Sequence, residues 1–269
     1  MKQLKSSLSD LRRLFTRTIT LRDIAEPLVS FDHGQPVKEV AAIMEKREFD
    51  VVGIREHGMV TGYVIRAELT DGLIGTARHT FQTGEVLSDS EPLLGAFSAL
   101  HSQRHVFINV LGHVGGIVTR GDLQKAPVRL WLFGLVSLLE MQMLRLVRER
   151  YPHDAWGPLM AEKRMAAAHD IFNKRRQRSE QTELSDCLQI VDKANIILKD
   201  DVLFNATGFN SKRSSEDFFH RLGGLRDDLA HGADILNGQC GEWAELAALV
   251  STLESLLEKL ETVVVEAKS

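Results

Sequence analysis

Residues 105–122 read HVFINVLGHVGGIVTRGD, and their reading decides the fold of the front half of the chain. Val106, Phe107, Ile108 and Val110 make a short apolar run, Gly112 marks a turn, and Gly116 to Thr119 make a second run that enters a helix. Short apolar runs bounded by glycine and polar residues predict strands. Upstream stand Gly84, Val86 and Leu87, then Leu93, Leu94, Phe97 and Leu100 at helical spacing. The same succession occurs once before, from Thr20 to Leu69. There an apolar segment (Ile19, Leu21, Ile24) precedes a helix (Val37, Val40, Ala41, Met44) and a strand (Val51, Val52, Ile54). A turn at His57 and Gly58 and a strand from Val60 to Ile65, again entering a helix, complete it. A repeat of this size predicts two similar β-α-β-β-α units that pack face to face.

Beyond Lys125 the strand signals stop. Helical periodicity covers about 129–150, 158–178, 182–199, 214–237 and 240–266. Pro152 and Pro158 bracket a break, because proline has no N–H for a continuing helix and restricts the residue before it. Ser214 with Asp217 three places on predicts a capping box, and Asn205 to Lys212, with Gly208, Asn210 and Ser211, predicts a loop. A helical bundle buries such amphipathic stripes. The expected fold class is therefore α+β, a β-α-β-β-α repeat followed by an all-α helical bundle. The last helix, with Leu246, Leu249, Val250, Leu253, Leu256, Leu257 and Leu260, is more apolar than one buried face needs, which predicts a partner contact.

Composition limits the function classes. A length of 269 residues suits two domains, and 43% hydrophobic with 26% charged residues argues for globular ones. A formal net charge of -4 argues against wholesale binding of a polyanion, so nucleic-acid contact would need a local basic patch. Cys187 and Cys240 form no CxxC pair, which supports neither a thiolate zinc site nor a disulfide framework and suits a reducing, cytoplasmic setting. Residues 1–18 are expected to form an amphipathic surface helix through Leu4, Leu8, Leu11 and Leu14, without the apolar core of a secretory signal. Leu130 to Val147 approaches the roughly 17 to 25 residues of a membrane span. Gly134, Glu140, Gln142 and Arg145 interrupt it, and charge at membrane depth is costly, so a buried packing or dimerisation helix and no membrane partner are expected. His101 and His105 are four apart without a third ligand, so no metal is expected. Cys187, Trp131, Trp156 and Trp243 read as packing residues.

The tandem unit resembles the CBS domain pair over residues 19–127, with a first unit at 19–77 and a second at 83–127. Each unit of that family ends in glycine, two apolar residues, Ser or Thr, two variable residues and Asp. The second unit meets this with Gly116, Ile117, Val118, Thr119, Arg120, Gly121 and Asp122. An Asp at a strand-to-helix turn can accept both ribose hydroxyls, and a Thr hydroxyl on the same turn reaches sugar or phosphate. Arg120 is placed to meet a phosphate, beside a helix start whose free N–H groups favour an anion. The resemblance implies an adenine nucleotide (AMP, ADP or ATP) as regulatory ligand, held by Gly116, Thr119, Arg120, Asp122 and Phe107. The first unit reads Gly62, Tyr63, Val64, Ile65, Arg66, Ala67, Glu68, so an apolar side chain replaces the hydroxyl and Glu replaces Asp. One strong site is therefore expected. The proline that often precedes the family's middle strand is absent from both units. The alternative is that Thr119 caps the helix and Asp122 adds a favourable first-turn charge, with no ligand at all.

Further on, Gly224-Leu225-Arg226-Asp227-Asp228-Leu229-Ala230-His231-Gly232 resembles the Arg-polar-His signature of HEPN domains, helical bundles that often pair as dimers. The resemblance covers residues 128–269 in architecture. It implies RNA cleavage without a metal. His231 suits acid or base work because an unperturbed imidazole titrates at about 6.5, and Arg226 offers a planar charged fork to phosphate oxygens. Five positions put the two roughly 140° apart around a helix. A homodimer would bring both into one cleft, while Asp227, four before His231, could orient the imidazole. Lys174, Arg175, Arg176 and Arg178 could guide RNA toward it. The alternatives are a surface ion pair and a non-catalytic sensor or adaptor whose bundle only dimerises or recruits a partner.

Overall fold

The computed structural model describes residues 10, 13–14, 17–236 and 242–263. Most of the expected N-terminal helix, including Leu4, Leu8 and Leu11, and Cys240 lie outside them. Of that helix, Leu14 is described and is exposed. The chain forms two compact units, one spanning Thr16–Val128 and the other spanning Arg129 onward together with the described residues before Thr16.

The first unit contains β1 (Glu26–Pro27), β2 (Ser30–Asp32), α1 (Val37–Lys46), β3 (Val51–Glu56), β4 (Met59–Ile65), β5 (Val86–Ser88), α2 (Leu93–Ser102), β6 (His105–Val110) and β7 (His113–Thr119). β2 runs parallel to β3 and β3 antiparallel to β4. β5, β6 and β7 repeat this arrangement. The hairpins share their register, Val51 opposite Ile65 and His105 opposite Thr119, and both shift at the same point, Ile54/Arg55 and Ile108/Asn109. Each turns through two residues in the left-handed region, His57 and Gly58 (φ 52° and 82°) and Leu111 and Gly112 (φ 52° and 90°). Two consecutive positive φ values make the tight turn whose twist suits a β-hairpin.

Helix-on-sheet packing follows from spacing. Val37, Val40 and Met44 lie on one face of α1 and pack on Val52, Ile54 and Val64. Leu93, Ala96, Phe97 and Leu100 are the buried face of α2. The strands β4 and β7 do not enter α-helices as their sequences suggest. Each runs into a 3-10 turn, Arg66–Glu68 and Arg120–Gln124.

The repeats exchange their lead-in segments. β1, which precedes the first repeat, pairs antiparallel with β7 of the second, Glu26 opposite Ile117 and Pro27 opposite Gly116. Reciprocally, the segment before the second repeat bonds to β4 of the first, with Tyr63 and His79 exchanging N–H···O bonds of 3.0 and 2.8 Å. Leu28, Tyr63 and Phe107 make the buried seam, flanked by Val51, Ile65, Phe81 and Ile117.

The second unit is helical: α3 (Ala126–Arg150), α4 (Glu162–Gln177), α5 (Ile190–Lys199), α6 (Asp201–Thr207), α7 (Lys212–His231) and α8 (Trp243–Thr262). α3 is long and apolar enough to cross a membrane by length and composition, and 61% of its most apolar window is buried within the protein. Trp131, Leu132, Leu135, Leu139, Met143, Leu146 and Val147 are buried, so α3 is the bundle's core helix and its apolarity on several sides follows from that place. Trp156 and Cys187 are also buried.

Boundaries differ from the sequence reading where local bonds decide. The helix expected from 158 starts at Glu162, after a 3-10 turn Gly157–Leu159 that has Pro158 in it. The one expected over 182–199 breaks into a 3-10 turn Leu184–Cys187 and α5. α6 occupies part of the expected loop because Asp200 caps it, accepting from the N–H groups of Val202 and Leu203 at 2.9 and 3.0 Å. The N-cap of α7 is Ser211, which accepts from the Ser214 N–H at 3.1 Å, rather than Ser214 with Asp217.

Candidate functional site

A cavity of about 790 Å³ opens in the first unit. Its lining includes the polar Thr119, Asp122 and Arg104 and the apolar Leu28, Phe49, Val51, Ile65 and Ile117. The end of β7 and the 3-10 turn after it supply Thr119 and Asp122. The Thr119 N–H and hydroxyl donate to one oxygen of Asp122 at 2.7 and 2.9 Å. Lys125 holds the other oxygen at 2.8 Å, donates to the Ile24 carbonyl at 2.6 Å and pairs with Glu26. Burial works against the Lys125 charge, but its bonds to Asp122 and Glu26 outweigh it and raise the pKa of the ammonium. The Thr119 hydroxyl therefore donates to Asp122 instead of capping the turn as expected, and it is the Asp122 carboxylate that satisfies the Thr119 N–H, at the wall of a cavity.

The other expected ligands part ways. Arg120 lines the cavity, but its guanidinium donates to the Leu100 carbonyl at 3.0 and 3.2 Å, satisfying an end group of α2. Phe107 is not at the wall: it is fully buried, with ring centroids 4.7 Å from Tyr63, 4.8 Å from Phe81 and 5.0 Å from His105. Gly116 also serves packing, since a Cβ there would lie 3.2 Å from the Ile108 Cβ and 3.4 Å from the Glu26 carbonyl oxygen. From the first unit's motif, Ile65 and Glu68 reach the wall, and Glu68 is bonded to His79 at 2.7 Å. Sequence reasoning missed Arg104, Glu48 and the Glu26 to Val29 segment. The only signal for Arg104 was its place just before β6, and the segment needs the strand exchange to be seen. His105 also lines the cavity, where burial lowers its pKa against the opposing charge of Glu85. Among the described residues no group of three His, Cys, Asp or Glu could hold a metal ion.

In the helical unit, α7 exposes Arg226, Asp227 and His231 and buries Asp228. Arg226 donates to Asp227 at 3.1 Å, so the expected orienting carboxylate is engaged by the arginine. Arg226 and Asp227 line a groove of about 470 Å³ together with Arg175, Lys193 and Glu140, while His231 is not part of that lining. Lys193 is buried and pairs with Glu140 at 3.3 Å. Gly232 closes α7 in the left-handed region at φ 71°. Arg129, unforeseen from the sequence, donates to the carbonyls of Asp228, Leu229 and Ala233 at 2.9, 3.2 and 2.8 Å, a charge favoured at a helix C-terminus. Of the basic run, Arg175 donates to the Asp186 carbonyl at 3.3 Å and Arg176 lies over the Phe172 ring at 5.6 Å.

No family model matches the chain, and no curated protein matches it. Solved structures do match. CBS domain proteins recur among them. CBSX2 in complex with AMP is 19% identical at TM-score 0.37, over 42% of this chain and 98% of that one. The CBS-pair protein CBSX2 from Arabidopsis thaliana is 15% identical at TM-score 0.37, over 42% and 96%. A CBS domain-containing protein of unknown function from Bacillus anthracis is 12% identical at TM-score 0.36, over 40% and 91%.

Proposed function

We propose that the first unit is a CBS-type receptor for an adenine nucleotide, AMP, ADP or ATP. The observation that carries this is the junction of Thr119 and Asp122 with an apolar-walled cavity of about 790 Å³, within the range of small-molecule sites. A base suits the wall of Leu28, Val51 and Ile117. The ribose hydroxyls would compete with Lys125 and the Thr119 hydroxyl for the Asp122 oxygens, and Arg104 is at hand for phosphate. The test is calorimetric titration of AMP into the chain and into Asp122→Ala, with melting as a control for loss of the cap. Binding is expected to weaken about tenfold or more, the value of a hydrogen bond to a charged group. Equal affinity in the two proteins would reject the ribose role.

A second reading concerns the helical unit and is favoured by the exposure of Arg226, Asp227 and His231, which leaves them accessible to a substrate. We infer that this is an HEPN-type surface for metal-independent RNA cleavage, completed in a homodimer and responsive to the nucleotide. Regulation of this kind needs a ligand that binds two conformations unequally. The competing non-catalytic sensor or adaptor predicts no cleavage at all. Incubating RNA with the protein in chelator, alongside His231→Ala and Arg226→Ala, separates the two: cleavage lost in both variants supports the enzyme, and equal activity in all three removes it.

A further inference from the structure

The charges around the cavity bear on how many phosphates it accepts. Five carboxylates line it, those of Glu26, Glu48, Asp50, Glu68 and Asp122, against the guanidiniums of Arg104 and Arg120. Most are already matched. Lys125 holds Glu26 and Asp122, Arg66 holds Asp50 at 2.8 Å, and His79 bonds Glu68 at 2.7 Å. Arg120 is committed to the Leu100 carbonyl. Among the described residues, the side chains of Arg104 and Glu48 are the charged groups of this wall left without an ion pair or hydrogen bond.

Glu48 is unusual in a second respect. It follows α1 at φ 56°, in the left-handed region where glycine commonly ends a helix. A non-glycine residue there is strained, and strain of this kind gathers at functional positions. The wall therefore presents one uncommitted cation suited to one phosphate, in an otherwise acidic surround with an uncommitted carboxylate.

We propose that the cavity selects a nucleoside monophosphate over the di- and triphosphate, with Arg104 taking the single phosphate and Glu48 repelling further ones. This rests on the receptor reading above and adds its ligand class. A guanidinium matches phosphate oxygens with two parallel bonds. Each added phosphate brings negative charge to a wall that has no second uncommitted cation among the described residues.

Calorimetry of the full chain against adenosine, AMP, ADP and ATP in metal-free buffer tests it. AMP is expected to bind tightest, with ADP and then ATP each weaker by about fivefold, the scale of a partly screened charge contact. Arg104→Ala is expected to lower AMP affinity about tenfold while leaving adenosine unchanged. Glu48→Gln is expected to narrow the gap between AMP and ATP. ADP or ATP binding as tightly as AMP overturns the inference and leaves the receptor in place, as does Arg104→Ala with an unaltered ratio of AMP to adenosine affinity. Failure of every adenine compound to bind removes the receptor itself, and the inference with it.

Discussion

Gly62 and Gly116 occupy matching places in the two repeats, yet they are crowded to different degrees. A Cβ at Gly62 would stand 2.3 Å from the His79 carbonyl oxygen, whereas at Gly116 the nearest atom is 3.2 Å away. Gly62→Ala is expected to destabilise by about 2 kcal/mol, since backbone must shift, and Gly116→Ala by clearly less. Urea denaturation compares them, and equal losses would show that the exchanged segments yield to a methyl group. Glu48→Gly should instead stabilise by about 1 kcal/mol, because glycine adopts the left-handed conformation without strain. The motif residues Thr119 and Asp122 were legible in the sequence because their bond spans three positions. Arg104 and Arg129 were not, because what they face lies far away along the chain.

At the scale of elements, the start of α6 concentrates a buried network. Asp200 caps the helix, accepts from the Tyr151 hydroxyl at 2.6 Å and pairs with Arg150 at 3.1 Å. Burial opposes its charge, but the bonds from Tyr151, the Leu203 N–H and Arg150 prevail and hold its pKa at about 2. Burial and the Asp200 bond push Tyr151 up to about 12. Because the folded pKa of Asp200 lies below the unfolded one, its stabilisation is complete above about pH 4 and is lost as pH falls toward 2, by about 2 kcal/mol. His105, with a pKa lowered by burial, adds an earlier loss as pH drops below about 6.5, where the unfolded imidazole takes up a proton first. Melting followed from pH 8 to 2 should show both slopes. Asp200→Ala should destabilise by about 3 kcal/mol and abolish the steeper one. A variant that keeps that acid slope would assign it elsewhere. The strands, their turns and the core helix α3 could be read from apolar period and glycine placement. α6 could not, since Asn205, Thr207 and Gly208 look like loop residues until Asp200 is seen to cap the helix before them.

Across the whole molecule, each unit has its own buried core, the first around Met44, Ile54 and Val64 and the second around Trp131, Leu139 and Leu253. Residues 17–128 expressed alone are therefore expected to melt in one cooperative transition, and a gradual, non-cooperative loss of circular dichroism would contradict this. Within that unit the sequence reading reached two packed repeats but not their trade of lead-in segments, which no local pattern encodes. The trade works as a clasp, each half reaching behind the other. Cutting the backbone between Ala77 and Arg78, after the first core's Ile74 and before the exchanged His79, should thus yield two pieces that are each incomplete, yet able to find one another and rebuild the pair when mixed. A chain so arranged gains little from losing one of its halves, which gives a physical reason for keeping both even though the first copy carries Ile65 where the second has Thr119.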